Sequence, residues 1–429
     1  YRNDQLSIQA AESTQMARLS AQAGVALTYF RPMSGDAHVL KLPQRMPVEQ
    51  VERIAAQIVA LPEVEYAEPD YIMRPLQTRV YPNDPMFWQQ WHYIGPIGIR
   101  LPLAWGITRG SSNTVIAVID TGHARHTDLR DRFLGGYDFV SDVWHANDGD
   151  GRDPIPLDPG DWCNSSGRSS WHGTHVAGII AANTNNRFGV TGVNWHAKLL
   201  SVRVLGRCGG NTSDVVDGMR WAAGLSVPGV PPNRFPAKVL NMSLRALSST
   251  CPTVYQSAIN AVNAAGRIVV VAAGNDNINA SGSTPANCSG VIAVGATNRG
   301  GTRAPYSNFG PVVDVSAPGG GFRSGVLSTF NSGMQRPVGN AYAYMSGTSM
   351  AAPHVAGVVS LMVALRPGLR WNQAEHILKM TARPIHCDRG PGMCGAGLVD
   401  AYEALRRVAM LSTAAENDPL PSGQADDSN

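Results

Sequence analysis

Six short apolar runs set the tightest limit on the fold. Residues 114–119, 199–205, 239–243, 268–273, 291–294 and 312–315 are rich in β-branched side chains, and stretches of helical pattern separate them. A strand with one face in water alternates polar and apolar residues. These runs do not alternate, so both of their faces need cover. Apolar strands interleaved with helices describe an α/β fold with a mostly parallel sheet and helices on both faces. In such sheets the functional groups collect at the carboxyl ends of the strands. With 429 residues, 43% of them apolar and 16% charged, the chain is long enough for one large core and a smaller unit.

Residues 1–78 form that smaller unit, a small α+β domain. Strands are expected at 25–30, 38–42 and 64–72. A helix is expected at 47–60, with Val48, Val51, Ile54, Ala55 and Ile58 on one face. A Pro-rich linker follows, and the large domain spans 81–408. Residues 409–429 read as a polar tail or linker. A net charge of +3 without a basic run gives no footing for nucleic acid or an anionic membrane. No apolar run approaches the roughly 20 residues of a membrane span. Six cysteines, an even number without any Cys-x-x-Cys, point to disulfides and an oxidising compartment. Cys387 and Cys394 enclose a short Gly/Pro loop and are the simplest pair to expect.

Polar residues at the predicted sheet edge carry the chemistry. Asp120 closes the run 114–119. It reads either as a turn residue or as a carboxylate that orients an imidazole. His172 stands at the entrance of an apolar helix, with His175 one turn inside. A metal pair is a poor alternative, because the spacing is i, i+3 and the helix has no Glu. Asn275 ends the run 268–273 and is either a turn residue or an amide aimed at a developing oxyanion. Ser349 opens another apolar helix that tolerates Pro353 in its first turns. It reads as a cap or as a nucleophile at the positive end of the helix. Singly each signal is modest. Together they place Asp, His, Asn and Ser on one sheet edge, and Asp, His, Ser is a known triad order.

The blocks Val118-Ile119-Asp120-Thr121-Gly122, His172-Gly173-Thr174-His175-Val176-Ala177-Gly178 and Gly347-Thr348-Ser349-Met350-Ala351-Ala352-Pro353-His354 resemble the three signature blocks of the subtilisin-like serine proteases. The resemblance covers roughly residues 81–405. The cysteine pattern, the insertion before His172 and the segment around Asn83-Asp84-Pro85 resemble the secreted bacterial members. The resemblance implies a subtilisin-like fold with a ferredoxin-like propeptide at residues 1–78, acting as inhibitor and folding aid. It implies an extracellular, monomeric endopeptidase made as a zymogen and cleaved between residues 76 and 81. Asp120, His172 and Ser349 become the triad, and Asn275 the oxyanion donor. Peptide substrate would lie between Gly209-Gly210-Asn211 and Ser243-Leu244-Arg245. The P1 pocket would be walled by Ala272-Ala273-Gly274, with Ser283 and Thr284 opposite. The family usually has Gly-Gly where this chain has Arg245-Ala246, so Arg245 is expected to crowd an outer subsite or attract acidic residues. A catalytically silent binding protein, or a locked propeptide complex, are the other readings.

Two loops are candidate Ca²⁺ sites. Asp148, Asp150, Asp153, Asp158 and Asp161 crowd a Gly/Pro-rich loop, read either as a solvated acidic loop or as oxygen ligands for calcium. The loop is not an EF-hand. Residues 183–190, with Asp128 and Asn186, resemble the family's other calcium loop. The resemblance also implies the pairs Cys163–Cys208, Cys251–Cys288 and Cys387–Cys394.

Overall fold

The computed structural model describes residues 8–35, 37–71 and 78–416. The chain divides into two compact units, Tyr1–Leu76 and Gln77–Asn429. In the first, helices Ile8–Ala23 and Val48–Val59 accompany an antiparallel hairpin of Thr28–Met33 and Ala37–Lys41. A small core gathers Ala23, Leu27, Ile54 and Ile58. The first helix escapes a sequence reading because Gln, Ser and Glu dilute its pattern. Met16, Leu19 and Ala23 nevertheless recur at helical spacing and reach the core. Residues 64–71 form no strand, with a bend at residue 65, which corrects the expectation there. Val64 and Ala67 pack on the core. A ladder needs a second edge to satisfy its backbone groups, and alternation alone does not supply one. Residue 72 of the expected strand and residues 76–77 of the expected cleavage segment lie outside the described residues.

The second unit is built on one sheet. Its strands are β1 (Val115–Asp120), β2 (Phe133–Asp138), β3 (Lys198–Arg203), β4 (Val239–Met242), β5 (Ile268–Ala272), β6 (Ile292–Thr297) and β7 (Val315–Pro318). They lie in the order β7-β6-β5-β4-β1-β3-β2, every neighbouring pair parallel. Four helices flank this sheet and position the site: α1 (His172–Ala181), α2 (Thr212–Ala222), α3 (Thr253–Ala264) and α4 (Thr348–Leu365). Successive strand residues point to opposite faces. Ile116, Val118, Val239, Ile268 and Val270 join α1 and α4 in one core. Ala117, Ile119, Leu240, Val269 and Val271 join α2 and α3 in the other. Helix α4 is long and apolar enough to cross a membrane by composition, but 83% of it is buried in the protein. Its apolarity is that of a core helix.

Four features depart from the sequence expectations. β7 starts at Val315, because residues 310–313 close a turn in which Val313 N donates to Gly310 O at 3.0 Å. β2 was not foreseen, since Gly135 and Gly136 weaken its strand signal. Gly136 is needed there, because a Cβ would lie 2.0 Å from Ser201 O. The antiparallel hairpin Val326–Asn331 and Asn340–Met345 packs on α1 and bonds to it by hydroxyls, Ser328 to His175 O and Thr329 to Thr174 O. The last helix, Ala401–Glu416, runs past the expected boundary at 408, because Val408 still packs in the core. Residues 417–429 of the expected tail lie outside the described residues.

Where α4 passes Val193, Gly357 leaves no room for a side chain: a Cβ would lie 2.6 Å from the Val193 Cβ. Helix propensity alone favours Ala over Gly by about 1 kcal/mol. Overpacking a dense core typically costs about 1–3 kcal/mol. We therefore expect Gly357→Ala to lower the unfolding midpoint in urea; a raised midpoint would mean that propensity outweighs packing.

Candidate active site

The carboxyl end of β1 carries Asp120, fully buried. A buried carboxylate is tolerated only with partners. Asp120 Oδ1 accepts from its neighbour Thr121 N at 2.8 Å and sits 2.7 Å from His172 Nδ1. His172 is the first residue of α1. Trp171 before it adopts a left-handed conformation (φ 48°) that turns the chain into the helix, and its indole anchors on Gly333 O. Gly173 lets the helix end rest on the Asp120-Thr121-Gly122 turn, where a Cβ would lie 2.1 Å from Gly122 O. Burial opposes the charge of the imidazole. The Asp120 carboxylate, with Asp161 and Asp158 beyond it, outweighs that effect and raises the His172 pKa above the ordinary histidine value.

Ser349 is the second residue of α4, whose N-terminal N–H groups face the site. Its hydroxyl donates to Ser243 O at 3.1 Å, and Ser243 Oγ returns a bond to Ser349 O at 2.9 Å. In this conformation the hydroxyl is therefore held by the segment after β4 rather than by the imidazole. Asn275 lies beside it. Its Oδ1 accepts from Thr348 N and Thr348 Oγ1, both at 2.8 Å, which turns Nδ2 outward. A Cβ placed on Gly347 would lie 3.3 Å from Asn275 Nδ2 and 3.6 Å from Ser349 N. Two donors thus border one small space next to the serine.

The segments expected around a P1 side chain also meet. Ala246–Leu247 pairs antiparallel with Ser283–Thr284, directly after Ser243-Leu244-Arg245. Next to Gly274 (φ 107°), the Asn308 amide, the Arg245 stem and the Ser283 hydroxyl leave no room for a Cβ. Arg245 is ion-paired with Asp276. Its charge is balanced within the protein, which bears on the expected attraction of acidic residues and leaves the expected crowding of an outer subsite open. Gly209 and Gly210 follow β3, next to the Cys163–Cys208 disulfide. The other two disulfides join Cys251 to Cys288 and Cys387 to Cys394.

Asn308 was missed by the sequence reading, where Ser307-Asn308-Phe309-Gly310 carries only a turn signal. It is buried, donates to Ala273 O, and accepts from Asp276 N and Ile278 N. It pins both sides of Asn275.

The acidic loop does not form the expected metal cage. Among the described residues no three His, Cys, Asp or Glu gather closely enough to hold a metal ion. Asp148 pairs with the buried guanidinium of Arg203, which also pairs with Asp138, so a protein cation already occupies that charge. Asp150 is exposed, and Asp153 accepts from Ile155 N. Asp158 and Asp161 turn inward towards His172. The other loop differs. Asp128 and Asp84 are both buried there, and neither enters an ion pair among the described residues. Burial, opposed by hydrogen bonds and reinforced by Asp84, pushes the Asp128 carboxyl up to about 6. Asn186 Nδ2 lies 3.0 Å from Asp128 Oδ1, and Asp84 holds the backbone of Asn185 and Asn186. Asp84 was not a candidate from sequence. His175 is buried against Ala343 O and does not share a ligand direction with His172.

A carboxylate, an imidazole and a helix-end serine at the carboxyl edge of a parallel sheet define a serine hydrolase of the subtilisin type. Residues 111–406 match the Subtilase family, and the chain belongs to it as a serine protease. It is 46% identical to an extracellular protease of Xanthomonas campestris over 399 residues, covering 90% of this chain and 67% of that protein. It is 39% identical to the extracellular basic protease of Dichelobacter nodosus, covering 94% and 68%. Among solved structures, a protease of Pseudoalteromonas arctica PAMC 21717 superposes with a TM-score of 0.74 at 48% identity, covering 76% of this chain and 99% of that one.

Because Asn308 fixes the loop on both sides of Asn275, Asn308→Ala should lower turnover of a peptide substrate with little change in KM. The loss should stay below the roughly 10²–10³-fold that follows removal of an oxyanion donor itself. Steady-state kinetics on the purified variant checks this. An unchanged kcat would remove the residue from the machinery.

Proposed function

We propose that the protein is a secreted endopeptidase that cleaves peptide bonds by a Ser349–His172–Asp120 triad through an acyl-enzyme. The 2.7 Å Asp120–His172 contact at the end of β1 carries this reading. Asp120 accepts a hydrogen bond from Nδ1–H and so leaves Nε2 unprotonated as the base. Ser349 Oγ attacks the scissile carbonyl while Nε2 takes its proton. The imidazolium then passes that proton to the leaving amine. A water attacks the acyl-enzyme by the same route and releases the acid. Asn275 Nδ2 and Ser349 N stabilise the oxyanion at each tetrahedral stage. Attack requires the Ser349 hydroxyl to leave Ser243 O for the imidazole, a small rotation of the kind that completes in the substrate complex. Substrate adds as a strand between Gly209-Gly210 and Ser243-Leu244-Arg245.

Residues 1–78 serve as an inhibitory propeptide, removed by the enzyme itself. Their separate small core supports this, as does a Xanthomonas relative that aligns over 90% of the chain. The extracellular names of two relatives and three disulfides support secretion. In subtilisin, loss of the nucleophile lowers turnover by about 10⁶, and Ser349→Ala is expected to do the same here. Intact mass and N-terminal sequencing over time should show the wild type losing about its first 78 residues while the variant stays whole. Cleavage of both chains would overturn self-removal of the propeptide only, whereas two chains that stay whole and inactive, even after residues 1–78 are removed in trans, would overturn the triad.

Calcium fits the loop of Asp128 and Asp84 better than the acidic loop. Two buried carboxylates and an amide, without a cation of their own, suit a hard oxygen-binding ion. Asp128, Asp84 and Asn186 would hold it, and it would supply rigidity to residues 183–191 rather than chemistry. In the Ser349→Ala background, calcium should raise the unfolding temperature relative to EDTA. A hundredfold excess over Kd is worth about 2.7 kcal/mol. Asp128→Asn should abolish the increment and Asp148→Asn should keep it; the reverse would return the site to the acidic loop.

A further inference from the structure

Two carboxylates of the insertion before His172 are used in a way that neither the triad nor a metal explains. Asp158 is buried, and its Oδ2 accepts from Thr121 Oγ1 at 2.8 Å. Thr121 Oγ1 in turn accepts from Gly173 N at 3.0 Å, the N–H next to His172. Asp161 accepts from Ser170 N at 2.6 Å and from Ser170 Oγ at 2.5 Å. Ser170 Oγ accepts from His172 N at 3.3 Å. Each carboxylate therefore reaches the first turn of α1 through one hydroxyl. The two chains of bonds grip the backbone on both sides of the imidazole.

The loop is shaped for this. Gly160 stands between the two acids at φ 110°, and a Cβ there would lie 1.9 Å from Gln335 O. Gly160 N donates to Asp158 Oδ1 at 2.8 Å, and Asn147 Nδ2 donates to Gly160 O at 2.8 Å. Two residues after Asp161, Cys163 ties the loop to Cys208.

We propose that Asp158 and Asp161 are positioning residues for His172, which hold its helix end through Thr121 and Ser170 and place two further negative charges behind the imidazole. The inference rests on His172 being the base. The imidazole faces Asp120 from β1, Asp158 and Asp161 from the loop, and His175 one turn along its own helix. Asp158 also faces Arg203 of β3, which draws its carboxyl down. Asp120 alone would orient the ring. The two outer carboxylates favour the imidazolium that forms during each proton transfer, while their own oxygens are bonded to Thr121 and Ser170 rather than to the ring.

The test is the pH dependence of kcat/KM for Asp161→Asn and Asp158→Asn against wild type. Removing either charge withdraws support from the imidazolium. The imidazole then loses its proton at lower pH, and the acid limb moves down by about half a pH unit or more. Plateau turnover falls several-fold. The shift should be larger for Asp161→Asn, because burial and Asp161 push the Asp158 carboxyl up to about 7 and part of its charge is absent on the acid limb. A purely structural loop would give lower thermal stability and lower activity with an unmoved limb, and that result overturns the proposal. If Asp158→Asn does not fold, Asp161→Asn decides alone, since Asp161 is half-buried and an amide still pairs with the Ser170 hydroxyl. An inactive, unprocessed wild type would sink the triad reading itself, whereas active variants with an unmoved limb would sink only this one.

Discussion

A carboxylate taken out of water at the end of a strand is the constraint that the site is built around. Asp120 is fully buried, and a carboxylate there is costly unless donors replace its lost hydration. The backbone N–H of Thr121 and the imidazole of His172 supply that replacement. Removing either would leave a charge uncompensated in the interior. The approach of α1 to β1, the glycine that permits it and the left-handed Trp171 are all consequences of bringing an imidazole within 2.7 Å of a buried carboxylate.

The rest of the centre obeys the same principle of using backbone groups that the fold leaves unpaired. α4 brings Ser349 and its backbone N–H to the sheet edge, while Thr348 N is taken by Asn275 and Met350 N and Ala351 N by Gly347 O. Asn275 is turned by Thr348 so that its amide faces the same space. Asn308 then satisfies three backbone groups around that loop with one side chain. These contacts rigidify the two donors beside Ser349, and under the proposed mechanism such preorganisation is how an oxyanion site gains its advantage over water.

The central sheet was legible because a strand buried on both faces has only one sequence solution, an unbroken apolar run. All six runs became strands with limits within three residues of those expected. β2 was not legible, because a Gly-Gly edge strand is specified by its neighbour β3 rather than by its own residues. The helix Ile8–Ala23 and the strandless segment 64–71 failed for opposite reasons, a weak pattern with a partner and a good pattern without one. In the site, Asp120, His172, Asn275 and Ser349 could be named because each stands where an apolar element starts or stops. Asn308, Thr121 and Ser170 could not, because a buried hydrogen bond between distant residues leaves no local mark.

The acidic loop shows the limit most plainly. Its composition suits calcium equally well whether its carboxylates converge or diverge. Sequence determined that these oxygens exist, that the sheet is parallel, and that an Asp, a His and a Ser stand at its carboxyl edge, because periodicity and chain order are local properties. Only the tertiary structure decided that Arg203 neutralises Asp148, that Arg245 is tied to Asp276, and that Asp158 and Asp161 turn towards His172. The physical reason is that electrostatic pairing depends on distance in space, and a chain folded into layers brings together charges that its order keeps apart.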